Sequence, residues 1–254
     1  MSAAPVVVAE GPFFDDLRLG DVFTGASGLT LTDGHTATHQ AIVGDRLRIG
    51  LDHELSRRLT GGDRPVVNPA LVWDVAIGQS TVVTHQVVAN LFYRGLSFRR
   101  APSLGDTLHT KTHVVGLRRN TSKRGRPATG LAALRITTTD QQDRPVLDFW
   151  RCAMLPLRHP DTGFAHAADM AAVGRGGQST PSFIDSWHLE TLHEGHQQPH
   201  RTELSVGQRF EVRGGDVVSS APELARLTLN IARAHRDDAS GDRAGWSTEA
   251  TPSA

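Results

Sequence analysis

The sequence predicts an α+β fold in which an antiparallel sheet wraps around one buried helix. The segment 69–81 is apolar on nearly every face, and a helix of that kind is buried. Four segments typical of strands follow it, at 87–98, 107–117, 130–139 and 145–157, and residues that favour turns lie between them. Consecutive strands joined by short turns pair antiparallel, so we expect their sheet to pack on the helix.

The local sequence supports each element in chain order. Residues 13–24 are predicted as a first strand interrupted by a glycine–aspartate turn. Pro69 suits the first position of the helix, where its missing N–H costs no hydrogen bond. In the third of the four later strands, Leu134 and Ile136 alternate with polar residues, which is the two-residue period of a strand with one buried face.

The composition excludes several classes of protein. The 254 residues include 27 Lys and Arg against 27 Asp and Glu, a balance that does not favour a nucleic-acid or membrane surface. The single cysteine, Cys152, excludes a disulfide framework and is typical of a reducing compartment. No segment has the pattern of a signal peptide or a membrane span. We therefore predict a soluble, cytoplasmic protein.

The chain divides into regions of different composition. Residues 10–158 contain all the elements of the predicted α+β domain. Residues 159–203 are rich in Gly, His, Ser and Pro, which indicates a linker. We predict that a second domain begins at 204–238, and that 239–254, which has no apolar period, is disordered.

A short repeat supports this division. The motif LRLGDVF at 17–23 recurs as LSVGQRF at 204–210, with Leu, Gly and Phe at the same spacing. A small domain needs about 100–150 residues, so the sequence predicts one complete unit and a truncated second one. Some codons that encode residues 246–254 can also be translated in a shifted reading frame. The resulting peptide contains glycines and a histidine, and it is typical of a strand followed by a helix. This compatibility predicts a shift of reading frame near Gly241.

Several longer motifs carry a family resemblance. The most specific is F-x-x-x-P-x-x-G-D-T-L at 98–108, accompanied by VGDRLRIGLD at 43–52, VVNPALVWDVAIGQS at 66–80 and RRNTSKRGRPATGLAAL at 118–134. Together they resemble the MaoC-like (R)-specific enoyl-CoA hydratases and dehydratases with two hotdog units, such as mesaconyl-CoA and itaconyl-CoA hydratase. The resemblance implies a hotdog fold and reversible hydration of an enoyl-CoA, with a short branched or dicarboxylic acyl group as the candidate substrate. It implies no metal and no cofactor beyond the coenzyme A of the substrate.

The resemblance also implies a site built on the family motif G-D-x-x-x-x-H-x-D. A carboxylate and a histidine hold and activate a water, and a backbone N–H at the start of the buried helix stabilises the thioester oxygen. In the first unit, Asp45 occupies the carboxylate position and Asp52 the trailing one, but Gly50 replaces the histidine. Pro69, which has no N–H, stands where the amide donor is expected. Asp45 and Asp52 are equally compatible with a capping or surface role.

The second unit has the complementary part of the motif. His235 occupies the histidine position and Asp237 the trailing one, while Asn230 replaces the carboxylate. The resemblance implies that His235 is the base and that Asn230 orients the water, since an amide cannot take a proton. Because no unit has all three groups, we expect weak or no activity from this chain. The alternative is a non-catalytic hotdog that binds acyl-CoA or serves as an assembly subunit.

Basic residues are the candidates for substrate binding. Arg94 and Arg99 border the strand that lines the family's substrate tunnel, and they could bind a substrate carboxylate. Arg119, Lys123 and Arg124 form a basic loop that either binds the phosphates of coenzyme A or is a solvated hairpin. The histidines of the linker do not form a pattern that predicts a metal site. We expect a homodimer or a partner hotdog subunit, because a lone unit leaves a sheet edge and apolar surface uncovered.

Overall fold

The structure is a computed structural model that describes residues 10–121, 125–160, 167–176, 182–193, 205–215, 217 and 219–236. The helices are α1 Asp33–Val43, α2 Arg48–Leu51, α3 His53–Thr60, α4 Pro69–Ser80 and α5 Ala221–Leu227, and the strands are β1 Val22–Phe23, β2 Leu29–Thr30, β3 Ala89–Phe98, β4 Thr107–Arg119, β5 Thr129–Thr139 and β6 Pro145–Pro156. Short 3-10 helices lie at Phe14–Asp16, Ser182–Ser186, Leu189–His193 and Arg233–His235.

The sheet is antiparallel and wraps around α4. Its strand order is β1-β4-β5-β6-β3, with β2 paired to β4 outside this path. The α+β class, the buried helix and the four long strands are therefore confirmed, with boundaries that differ from the predicted ones by one or two residues. Strand β3 lies at one end of the order and leaves an edge without a partner strand among the described residues.

The prediction of a strand over 13–24 was wrong for most of that segment. Only Val22–Phe23 pairs with β4, and Phe14–Asp16 forms a 3-10 turn instead. The two oxygens of Asp15 accept hydrogen bonds from the backbone N–H groups of Arg158 and His159, at 2.7 and 2.8 Å. These bonds to the end of the domain hold the turn, and they could not be inferred from the local sequence.

Helix α4 is the centre of the core. Val72, Val75 and Ala76 are fully buried beneath the sheet, and Asn68 caps the helix by accepting from Ala70 N at 2.8 Å. The buried amide of Gln79 is fully used, since its Nε2 donates to two backbone carbonyls and its Oε1 accepts from the hydroxyl of Thr110. A satisfied polar group of this kind fixes the helix at one position along the sheet.

A buried arginine stabilises the other end of α4. Arg151 on β6 is almost wholly buried, and its Nη2 donates to Ser80 O at 3.3 Å and to the hydroxyl of Thr84 at 2.5 Å. Burial lowers the pKa of Arg151, while a hydrogen bond with Tyr93 raises it. The cation lies where the helix dipole is negative, so it compensates the last carbonyls of α4.

Part of the segment predicted as a linker packs on the sheet. Met170 joins Leu131, Ala133 and Cys152 in a second buried cluster on the face of the sheet away from α4. The guanidinium of Arg94 donates from Nη1 to the carbonyls of Met170, Ala171 and Val173, at 2.9, 3.1 and 2.9 Å. Strand β5 is buried on both faces at this point because residues 167–176 cover it. The boundaries of the predicted second domain stay a prediction, and the predicted tail at 239–254 lies outside the described residues.

Within the part of the chain that the structure describes, no helix is both long enough and apolar enough to span a bilayer.

Candidate functional site

The carboxylates of the first G-D motif make local hydrogen bonds. Asp45 is half-buried, and its Oδ1 accepts from Leu47 N at 2.7 Å. Asp52 caps α3, with Oδ1 accepting from Leu55 N at 2.9 Å. Both bonds satisfy backbone donors that a turn and a helix start leave open. The capping role considered for these two residues is thus visible in the structure.

The space that a side chain at position 50 would need is occupied by Asn68. A Cβ on Gly50 would lie 2.9 Å from Asn68 Cβ and 3.2 Å from Asn68 Cα. Asn68 is buried and caps α4, so it cannot move away without loss of that cap. In this unit, a histidine at position 50 would therefore collide with the start of the central helix.

The second G-D-like motif lies against the far end of α4. Ile231 N donates to the hydroxyl of Thr81 at 2.9 Å, and Arg233 N donates to His85 O at 3.0 Å. A Cβ on Gly78 would lie only 1.8 Å from Thr228 O, so glycine alone permits this approach. These contacts hold the turn that contains the candidate residues, which we call the 228–236 turn.

Asn230 and His235 lie five residues apart in this turn. The Oδ1 of Asn230 accepts from Ala232 N at 3.0 Å, and its Nδ2 makes no hydrogen bond to any described residue. His235 ends the 3-10 helix and is exposed at the surface. Surrounding residues of this chain partly shield His235 from water, and this desolvation lowers the pKa of its imidazole below the usual 6.5. A neutral imidazole and an amide donor are thus available at neutral pH. Asp237 lies outside the described residues.

His85 is a neighbour of this turn that the sequence did not single out. Its Nδ1 accepts from Gly11 N at 3.1 Å, so the ring carries its proton on Nε2 when neutral. Burial and the charges of Arg233 and Arg236 lower the pKa of His85, and they outweigh the opposite effect of Glu10. The sequence gave one indication that another segment packs on this end of α4. An isolated glycine in a buried helix, here Gly78, indicates a close approach of this kind.

The candidate substrate-binding arginines lie on other parts of the domain. Arg94 binds the carbonyls of the 170–173 segment and stacks over the ring of Phe92, at 3.8 Å. Arg99 lies 3.9 Å from Asp148, and Arg119 donates to Pro160 O. These contacts join the three arginines to other parts of the domain than the 228–236 turn. Lys123 and Arg124 lie outside the described residues.

Neither the linker histidines nor any other set of three His, Cys, Asp or Glu side chains could hold a metal ion, as far as the described residues go.

Two curated enzymes are similar in sequence to this chain, although no family model matches it. Beta-methylmalyl-CoA dehydratase of Chloroflexus aurantiacus is 28% identical over 233 residues, which cover 89% of this chain and 64% of that enzyme. Mesaconyl-CoA hydratase of Cereibacter sphaeroides is 28% identical over 241 residues, which cover 89% of this chain and 66% of that enzyme. The chain thus spans slightly less than two thirds of the length of these curated relatives.

Solved structures give a stronger match. A conserved hypothetical protein of Mycobacterium tuberculosis with a double hotdog fold is 48% identical, with a TM-score of 0.81 over 91% of this chain and 71% of that one. A MaoC domain protein from Chloroflexus aurantiacus has a TM-score of 0.73 at 24% identity, covering 91% of this chain and 66% of that one. The wrapped sheet and central helix described above are therefore a hotdog fold.

The two curated relatives of this chain are named as an acyl-CoA dehydratase and an acyl-CoA hydratase. The 48% identical relative and the two curated relatives place this chain more narrowly: it belongs to the MaoC-like hotdog hydratase and dehydratase family. The predicted resemblance is confirmed at the level of the family.

Proposed function

We propose that this chain catalyses the reversible addition of water to an enoyl-CoA, with His235 as the base. The observation that carries the proposal is the 228–236 turn, which contains a histidine with a lowered pKa and, five residues before it, an amide with a free donor. The neutral imidazole takes a proton from water as the oxygen attacks the β-carbon of the enoyl thioester, and the electron pair of the double bond moves onto the thioester as an enolate. The imidazolium then returns this proton to the α-carbon, which completes the addition. The Nδ2 of Asn230 donates to the water and orients its lone pair.

Hydration by this turn is slow, because no carboxylate assists the histidine there. Asn230 can orient a water but cannot take its proton. The first unit does not supply the missing groups, since Gly50 replaces its histidine and Pro69 has no N–H to stabilise the thioester oxygen. General acid–base groups each contribute about 10²–10⁴ in rate, so the loss of one partner leaves a weak enzyme.

The names of the relatives suggest the substrate class. Beta-methylmalyl-CoA and mesaconyl-CoA, after which the two curated relatives are named, are thioesters of short branched dicarboxylic acids. We therefore propose a short branched or dicarboxylic enoyl-CoA as the substrate. Arg94, Arg99 and Arg119 stay candidates for its carboxylate or phosphate groups.

A homodimer or a partner hotdog unit completes the proposed assembly. Strand β3 is an edge strand, and Leu91, Tyr93 and Leu96 on it are nearly half exposed. Unpaired strand edges with apolar side chains favour pairing with another chain. The proposed partner covers this edge.

A second candidate function follows from the first unit. Gly50 packs on Asn68 and leaves no room for a base, while the fold around it is intact. Such a unit could bind an acyl-CoA, or support a catalytic partner, without turnover of its own. This alternative is a non-catalytic acyl-CoA-binding or assembly subunit.

Hydration and binding assays distinguish the two functions. Crotonyl-CoA and mesaconyl-CoA are offered to the wild-type chain and to the His235→Ala and His188→Ala variants, and coenzyme A binding is measured by calorimetry. His188 is an exposed histidine of another segment and serves as the matched control. Turnover that is lost only in His235→Ala supports catalysis. Binding without turnover in all three proteins supports the subunit role, and turnover that survives His235→Ala contradicts the base assignment.

A further inference from the structure

A second concave site lies on the opposite end of the domain from the 228–236 turn. It is a cleft of about 230 Å³ between the end of α3 and the loop after β3, and its lining includes Thr60, Arg64, Arg100, Ser103, Phe183 and Trp187. Neither the family motif nor the proposed reaction uses these residues. We propose that this cleft binds a small molecule in which a carboxylate or phosphate group is attached to a flat apolar group.

The aromatic wall of the cleft is held in place by the domain. Phe183 and Trp187 contact each other edge to face, with ring centroids 5.6 Å apart. Trp187 also packs on the apolar cluster of Ile49, Leu59 and Val66. His188 N donates to Leu59 O at 2.7 Å, which anchors the segment beside α3. An anchored indole gives a flat group a preformed surface on which to stack.

The two arginines of the cleft are held by buried carboxylates. Arg64 Nη2 donates to Asp106 Oδ1 at 3.0 Å, and its Nη1 donates to Leu104 O at 2.7 Å. Arg100 Nη2 donates to Asp106 Oδ2 at 3.1 Å and also to Asp140. The side chains of both aspartates are fully buried. The guanidinium planes are thus fixed before any ligand arrives.

The arginines retain both charge and donors for a ligand. Arg64, Arg100 and Arg144 face the two carboxylates of Asp106 and Asp140, which leaves one uncompensated positive charge in this network. The next carboxylate along the chain, that of Asp63, is exposed and does not line the cleft.

Three donors of the cleft have no partner. The Nε of Arg100 is buried without a hydrogen bond. Its Nη1 and the hydroxyl of Ser103 make none to the described residues either. An oxyanion in the cleft would accept from the Arg100 Nη1 and Ser103 donors and offset the excess charge, whereas the buried Nε lies out of its reach.

Three probes with the same ring test the proposal: benzoate, phenyl phosphate and benzamide. The fluorescence of Trp187, compared with that of a Trp187→Leu variant, reports occupation of the cleft. We expect saturable binding of benzoate or phenyl phosphate with a millimolar or lower Kd, and no saturation by neutral benzamide. The tighter of the two anions identifies the oxyanion that the cleft prefers.

Substitutions locate the site. Arg64→Gln should weaken anion binding roughly tenfold, because the network then carries no excess positive charge to attract the anion. Arg100 still pairs with Asp106 in this variant, so the fold is retained, and a cooperative urea transition checks this. Arg57→Gln, at an α3 arginine paired with Glu54 outside the cleft, is the matched control and should bind as wild type does. The proposal is overturned if no anion saturates, if benzamide binds as well as benzoate, or if Arg64→Gln and Arg57→Gln bind equally.

Discussion

The substitution Gly78→Ala should detach the 228–236 turn from the domain without unfolding the domain. Alanine in a helix is ordinarily more stable than glycine by about 0.5–1 kcal/mol. Here the new Cβ would lie 1.8 Å from Thr228 O, whereas ordinary contacts begin at 3.4 Å. Because the opposing atom belongs to the backbone, no side-chain rotation relieves the collision.

The magnitude follows from what the turn loses when it leaves. Two of its hydrogen bonds to the domain, Ile231 N to Thr81 and Arg233 N to His85, are worth about 1 kcal/mol each. Their combined loss is comparable to the cost of overpacking, about 1–3 kcal/mol, and smaller than the stability of a whole domain, about 5–15 kcal/mol. Release of the turn is therefore the cheaper response.

Hydrogen exchange measures this release residue by residue. In Gly78→Ala, the amides of Ile231 and Arg233 should lose their protection, while the amides of β5 and β6 should keep theirs. Gly25→Ala is the control, since a Cβ on Gly25 meets nothing within 4 Å. If Gly78→Ala protects the turn as strongly as wild type does, the described packing of the turn on α4 is wrong.

Three further predictions concern the first unit. Asp106→Asn should lower the free energy of unfolding by about 3 kcal/mol. This is near the low end for a broken buried ion pair, because Arg64 and Arg100 reach solvent. The control Asp63→Asn, at an exposed residue, should change the free energy by less than about 0.5 kcal/mol, and equal urea midpoints of the two variants would refute the prediction. Burial raises the pKa of Asp106. This effect is outweighed by the charge of Arg64 and by the hydrogen bonds that the carboxylate accepts from Ser103 N, Arg64 and Gln141. The folded pKa therefore lies below the usual 3.8. The stabilisation is therefore present above about pH 4 and is lost as pH falls through the folded pKa, and acid titration of Asp106→Asn should show a flatter loss. The buried thiol of Cys152, whose pKa is raised by burial, should resist alkylation at about pH 8 in the native protein; rapid labelling without denaturant would contradict its position. Gly50→His should destabilise the domain by about 1–3 kcal/mol through collision with Asn68, and an equally stable variant would show that the site is open.

The elements that local sequence determines were predicted well. Helix α4 and strands β3 to β6 have apolar periods and turn residues within their own segments, so their bounds could be placed within two residues. The strand predicted at 13–24 failed because Asp15 bonds to Arg158 and His159, more than 140 residues away. Pairings of that separation leave no periodic pattern in the segment itself.

In the candidate site too, the features predicted from the sequence are local, and the features that were missed depend on contacts between distant segments. The G-D motif located Asn230 and His235 because their spacing is local. The surfaces that hold them, Gly78, Thr81 and His85, were missed because the contact joins two distant segments and depends on the absence of a side chain at position 78. Likewise, the sequence does not show why position 50 is a glycine. The reason is the contact with Asn68 at the start of α4, which only the structure reveals.

A gain of activity tests the central claim that the 228–236 turn holds the reacting water. In Asn230→Asp, one carboxylate oxygen can keep the hydrogen bond from Ala232 N, and the other replaces the amide donor as a base or water ligand.

The decisive measurement is the hydration rate of mesaconyl-CoA and crotonyl-CoA by wild type, Asn230→Asp and the double variant Asn230→Asp/His235→Ala. The account predicts a rate at least about tenfold higher in Asn230→Asp, and its loss in the double variant. A wild-type chain that hydrates either thioester rapidly, with no response to changes at Asn230 or His235, would contradict it.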